Sequence, residues 1–191
     1  MIVCVTGLPG SGKTTVAKLL KKKGFELVEM GDLVREKMKE KKITINPDSI
    51  KKYAISIRRK YGKGIVAKYA MLRIKQISDK KNVAIIGIRS MQELQVFKRK
   101  FKGILIIAVV APTKQRYERL VRRSYANDPK NFAKFEEREK QERMGYAKSG
   151  KKNEGVLGLV DNADYLICNT ENFVRLSKDI NILTTKLRHI V

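Results

Sequence analysis

The sequence predicts an α/β fold built on a mainly parallel, five-stranded sheet, and three observations carry that prediction. Apolar runs of strand length recur at 2–6, 25–29, 83–87, 104–110 and 165–169. Helix-period segments separate most of them, and such alternation belongs to a parallel sheet covered on both faces. Between the first strand and the first helix stands GLPGSGKT, Gly7 to Thr14, a glycine-rich loop of the kind that wraps a phosphate chain.

Ile2, Val3, Cys4 and Val5 supply the first strand, and Val16, Ala17, Leu19 and Leu20 supply the apolar face of the helix after the loop. The glycines let the backbone curl until its N–H groups point at a triphosphate. Lys13 then reaches the β and γ oxygens, and the Thr14 hydroxyl takes a place on Mg²⁺. The helix adds the positive end of its dipole. Gly7, Leu8, Pro9, Gly10, Ser11, Gly12, Lys13, Thr14 and Thr15 are therefore the expected nucleotide-binding set.

The second strand ends in Glu29-Met30-Gly31-Asp32-Leu33-Val34-Arg35. Asp32 reads two ways, as an ordinary helix cap or as a carboxylate that accepts a proton or holds Mg²⁺ through water. Arg35, one turn later, is either a surface charge or a fork for an acceptor phosphate. The connection from 31 to 81 is too long for a simple crossover. Within it Asn46-Pro47-Asp48 opens a helix, Asn46 as cap and Pro47 in the first turn, and Gly62 and Gly64 close it.

The third strand ends in Ile86-Gly87-Ile88-Arg89-Ser90, which offers a second guanidinium at the same sheet edge. Many phosphate-loop enzymes carry a magnesium-holding acid near this strand end, and Ile85 and Ile86 stand there instead. After the fourth strand, Arg116, Arg119 and Arg123 share one helical face. Such a stripe is either a solvated surface or a device to neutralise a moving phosphate. A charged insertion follows from 124 to 162, with turn signals at Asn127-Asp128-Pro129 and Ser149-Gly150 and later flexibility expected at Gly155 and Gly158. Arg138 and Arg143 within it reach for the same phosphates, or else pair with Glu136, Glu137, Glu139 and Glu142 along their own helix. Asn172 caps a last helix whose apolar stripe takes in Phe173, Leu176, Ile180, Leu183 and Leu187.

Composition narrows the classes. With 191 residues the chain suits one domain with small insertions. Lys and Arg total 43 against 19 acidic residues, a net charge of +24, which attracts polyanions and leaves RNA as a candidate partner. A thermophile's charge-rich surface explains the same excess. The run 104–111 is far too short to cross a bilayer, which takes about 20 residues. Ile2 opens a strand at once, so no secretory leader is expected and the protein reads as cytoplasmic. Cys4 and Cys168 read as small core residues rather than a disulfide. A single His189 excludes zinc clusters and Ser-His-Asp chemistry.

Together these residues resemble the nucleoside monophosphate kinases, adenylate kinase and dephospho-CoA kinase in particular, from the phosphate loop to Asn169. They also resemble an archaeal family of adenylate-kinase-related proteins. That likeness is carried by Gly7–Thr14, Met30–Asp32, Gly87–Ser90 and Ala163–Tyr165. The resemblance implies a three-layer P-loop fold with a core at 1–30, 82–123 and 163–191. It implies an acceptor-binding insertion at 31–81 and a lid at 124–162. It implies ATP with Mg²⁺ on Thr14 and Asp32. It places Gly31, Asp32, Arg35, Gly87 and Arg89 against the acceptor and makes Asp32 a general base. Arg119 would stack on adenine, Arg123 would touch phosphates and Arg138 would follow the phosphoryl group. Lys13 would act with them. AMP is the expected acceptor and dephospho-CoA the second. An RNA- or ribosome-associated ATPase and a nucleotide sensor without turnover are the competing expectations.

Overall fold

A computed structural model of the chain describes residues 1–77, 81–124, 128–129, 131–144, 155–170 and 172–188. Five strands form the sheet: β1 (Ile2–Thr6), β2 (Phe25–Glu29), β3 (Asn82–Ile86), β4 (Leu105–Val110) and β5 (Tyr165–Cys168). Their spatial order is β2-β3-β1-β4-β5, and every pairing is parallel. β1 is central, with Val3 opposite Ala84 on one side and Leu105 on the other.

Because side chains alternate along a strand, β1 feeds two cores. Val3 and Val5 pack with Val16, Leu20, Leu176 and Ile180 from α1 (Lys13–Lys22) and α9 (Phe173–Arg188). Cys4 enters the opposite core, with α2 (Met30–Glu40), α3 (Pro47–Tyr61), α4 (Ile65–Lys75), α5 (Met91–Lys100) and α8 (Val156–Asp161). The expected α/β layering with a parallel sheet is what the chain adopts.

Between β2 and β3 lie α2, α3 and α4. Asn46 caps α3 by accepting from Ser49 N at 2.9 Å, and Ser49 Oγ accepts from Asn46 N at 3.0 Å, a reciprocal box that starts the helix where its sequence signal stands. Gly62, at φ 89°, ends it. Between β4 and β5 lie α6 (Thr113–Arg123), α7 (Phe132–Met144) and α8. Asn172 Oδ1 accepts from Arg175 N at 3.0 Å and starts α9.

Three expectations need correction. Cys168 is exposed, because β5 is an edge strand and its outer face lacks a covering helix there. Phe173 is 57% exposed and lies off the buried stripe of α9. Gly158 is buried inside α8 rather than loosening the chain. The turns expected at Asn127 and Ser149-Gly150, and His189, lie outside the described residues. Among the described residues no helix is long and apolar enough to cross a membrane.

Candidate active site

β1 delivers the chain into the loop 7–12 at the carboxyl edge of the sheet, and α1 leaves from it. Gly7, Gly10 and Gly12 have φ of 145°, 77° and 102°. A Cβ on each would lie 2.2 Å from Val109 O, 2.4 Å from Arg116 O and 2.2 Å from Asn169 Nδ2 respectively. Only glycine serves both the backbone angles and the close packing. The start of α1 has no side-chain cap and no acid in its first turn, so its positive end is left for an anion. Ser11 is fully buried, and its Oγ has no hydrogen-bond partner among the described residues.

Lys13 Nζ donates to Leu8 O at 2.9 Å, within its own loop. Burial pushes this ammonium down to about 7; Glu142 opposes that shift, and Arg89, Arg123 and Arg138 add to it. A cation so placed is stabilised by any anion that enters. Exposed Thr14 stands in the same first turn. The bent glycine cradle, orphaned Ser11 hydroxyl and electron-poor lysine fit a triphosphate, with Thr14 available to its metal.

Beside the loop lies a cavity of about 460 Å³ between α2, α3, the end of β3 and α7. Met30, Val34, Ile50, Ala54 and Ile55 give it an apolar wall, while Arg35, Arg58, Arg89 and Arg138 bring guanidiniums to it. Its floor is organised by Glu93, which is fully buried at the start of α5. Glu93 accepts from Arg58 Nη2 and from Arg89 N, both at 2.9 Å, and so fixes α3 and the Gly87–Arg89 turn together. Across the cavity, Glu142 accepts from Arg89 Nη1 at 3.1 Å and Arg138 Nε at 3.4 Å. Burial pushes the Glu142 carboxyl up, yet Arg89, Arg138 and Lys13 outweigh it and hold the group below the usual carboxylate range.

A family described as an AAA domain matches residues 6–137. A UPF0200 protein of Pyrococcus horikoshii is 34% identical over 190 residues, covering 98% of this chain and 97% of the relative. Another from Thermococcus kodakarensis is 36% identical over 172 residues, 88% of each. The chain belongs to the UPF0200 family. Its fold is also that of a Thermus thermophilus protein (TM-score 0.60, 17% identity, 98% and 97% coverage). Shikimate kinase from Aquifex aeolicus shares it as well (TM-score 0.52, 15% identity, 100% and 99% coverage). The fold is a P-loop kinase-like one.

In this UPF0200 chain Gly31, Arg35, Gly87, Arg89 and Arg138 all line the cavity. Arg116, Arg119 and Arg123 of α6 are each engaged by partners within the chain, Arg116 in the interior and Arg123 at the surface. Arg116, 2% exposed, pairs with Glu139 at 2.5 Å and donates to Ala111 O at 2.8 Å and Pro9 O at 3.4 Å. Arg119 donates to Asn169 O at 2.8 Å and Gly10 O at 3.5 Å, holding the loop from outside. Arg123 forks onto Asp128 at 2.6 and 2.7 Å. Asp32 does not line the cavity: its side chain is 54% exposed and ion-paired with Arg35. That pairing follows from their i, i+3 spacing on α2, where Arg35 reaches the cavity wall and Asp32 does not.

Glu93, Glu139, Glu142 and Asn169 were not singled out as site residues by the sequence. Glu93 had a signal, Ser90-x-x-Glu93 before an apolar run, the pattern of a capping box. Ser90 Oγ does accept from Glu93 N at 3.2 Å, while the Glu93 carboxylate turns to Arg89 and Arg58. Glu142 is one acid among several on a charged helix, and nothing local distinguishes it.

Proposed function

We propose that this protein is an ATP-dependent phosphotransferase that moves the γ-phosphoryl group to a nucleotide-type acceptor, AMP before dephospho-CoA. One observation carries the reading: Arg89, Arg138 and Glu142 line an arginine-rich cavity and also act electrostatically on Lys13 of the phosphate-wrapping loop. Its 460 Å³ suits a small-molecule ligand with an apolar ring and an anionic end.

In this reading the loop amides and Lys13 hold the donor's β and γ phosphates. The 31–81 insertion binds the acceptor, its base against Met30, Val34 and Ile55 and its phosphate on Arg35 and Arg89. The 124–162 segment is the lid. An acceptor phosphate oxygen forms the new bond to Pγ as the β–γ bridge breaks, and the nucleoside diphosphate leaves with the bridging oxygen. Arg138 screens the charge in flight, and Arg119 and Arg123 brace the loop and the lid entrance. Magnesium, held by Thr14, supplies further charge neutralisation when bound. Asp32 is left outside the transfer step, since it does not line the cavity and pairs with Arg35 from outside it.

The test is incubation with Mg·ATP and, separately, AMP, CMP, dephospho-CoA or water alone, followed by phosphorus NMR. ADP formed from AMP, and lost in Lys13→Ala, is the expected result. Transfer to none of the acceptors overturns the proposal, and phosphate release in water alone points to an ATPase.

A further inference from the structure

Glu142 is 5% exposed, yet it is surrounded by cations that belong to three different parts of the chain. Arg89 comes from the turn after β3, Arg138 from the preceding turn of α7, and Lys13 from the phosphate loop. Arg89 and Arg138 remain 43% and 31% exposed, so their guanidiniums reach from the open cavity to a sunken carboxylate. Guanidiniums arranged around one carboxylate oxygen present the donors that a phosphate oxygen takes.

We propose that Arg89, Arg138 and Lys13 form one subsite for a phosphate dianion, and that the Glu142 carboxylate fills this subsite until a phosphorylated ligand displaces it. The inference deepens the phosphotransferase reading and rests on it for the identity of the ligand. A buried carboxylate loses its hydration, and here the surrounding cations offset that loss. A phosphate monoester brings up to two negative charges and more acceptor oxygens to the same donors, so it outcompetes the single carboxylate.

The helix that carries Glu142 is anchored. Glu139, one turn before Glu142, is anchored to buried Arg116, and Phe135 packs against Tyr117 with ring centroids 5.4 Å apart. Arg143 in the last turn also pairs with Glu139, so α7 stays docked and the exchange swings the Glu142 side chain alone. The exchange also selects substrate chemistry. An acceptor that attacks through its own phosphate, as AMP does, brings the charge needed to evict Glu142. One that attacks through a hydroxyl, as dephospho-CoA does, leaves the carboxylate in place.

The experiment is calorimetric titration of the full chain, without ATP, by inorganic phosphate and by AMP. Glu142→Gln should bind both about tenfold more tightly than the parent, because a like charge leaves the subsite. Glu137→Gln, which changes a second cavity acid outside the subsite, should shift affinity less than the Glu142 substitution. In phosphate-free buffer Glu142→Gln should melt earlier than the parent and gain more in Tm from added phosphate. If Glu142→Gln does not fold, Glu142→Asp, too short to bridge both arginines, should show the tighter phosphate binding instead. Equal or weaker phosphate affinity in whichever variant folds overturns the inference. Since the readout needs no turnover, tightened binding without transfer to any acceptor would defeat the kinase reading alone. Transfer to AMP with unaltered binding in the variant would defeat the subsite alone.

Discussion

Asn169 Nδ2 donates to Ser11 O at 2.8 Å, joining the end of β5 to the phosphate loop across 158 positions of sequence. The same residue donates through its backbone N to Val110 O at 2.8 Å and accepts from Arg119 Nη2 at 2.8 Å. β4, β5, α6 and the loop thus meet at one residue, through its side chain and both of its backbone polar groups. Asn169→Ala should leave the buried Ser11 carbonyl without this donor and lower stability by about 1–3 kcal/mol. Urea denaturation checks the stability, and titration with a non-hydrolysable ATP analogue should show weaker binding.

The Arg116–Glu139 pair, with side chains 3% and 7% exposed, is the buried link between the loop side of α6 and α7. Removing one partner strands the other charge. Glu139→Ala should cost about 3–5 kcal/mol, and the double substitution Arg116→Met with Glu139→Leu should recover most of it. Chemical denaturation of both proteins decides the point: a double variant no better than the single one would show that the pair contributes more than mutual neutralisation.

Lys13 gives a pH signature. Its folded pKa lies near 7, below the ordinary 10.5. Between those values the unfolded chain holds a proton that the folded chain has released, so this group's contribution to stability rises with pH across the window. It is smallest below about 7, where both states are protonated. Triphosphate entering the loop raises the lysine's affinity for its proton. Binding at pH of about 8.5 should therefore take up about one proton, and binding at pH of about 6 almost none. Calorimetry in buffers of different ionisation enthalpy measures the uptake, and Lys13→Met should abolish it.

Glu93 touches Arg58 and Arg89 N rather than the cavity's contents, so it acts as a positioning residue. Glu93→Gln should raise the KM for the acceptor at least fivefold and leave the KM for ATP near the parent value. A loss confined to kcat would contradict this assignment. Arg58→Ala should reproduce the acceptor effect in milder form, since the bond from Arg89 N still holds Glu93 in place.

The sheet was legible because each strand is a run of apolar residues short enough to cross it once, and the glycine loop fixes where the first strand ends. The start of α3 was legible because Asn46 and Ser49 satisfy each other within one turn. Exposure of Cys168 was not, since an edge strand and a central one are equally apolar in sequence, and exposure of Phe173 was not, since it opens α9 where the first turn has left the packed stripe. The arginines of α6 posed a harder problem. Their spacing is local, but the partners that neutralise Arg116 and Arg123, namely Glu139 and Asp128, arrive from the insertion after them. Glu142 is farther still from Arg89, 53 positions away, so only the folded chain shows that a carboxylate lies among the phosphate-binding cations.

β1 precedes both of its neighbours in sequence and lies between β3 and β4, so its ladders wait for residues 82–110 to leave the ribosome. The Asn169 fastening waits longer, for a residue 158 positions downstream of Ser11. A nascent chain therefore carries its loop sequence well before it has the strands and the amide that hold that loop in shape. A product terminated before Asn169 lacks that fastening.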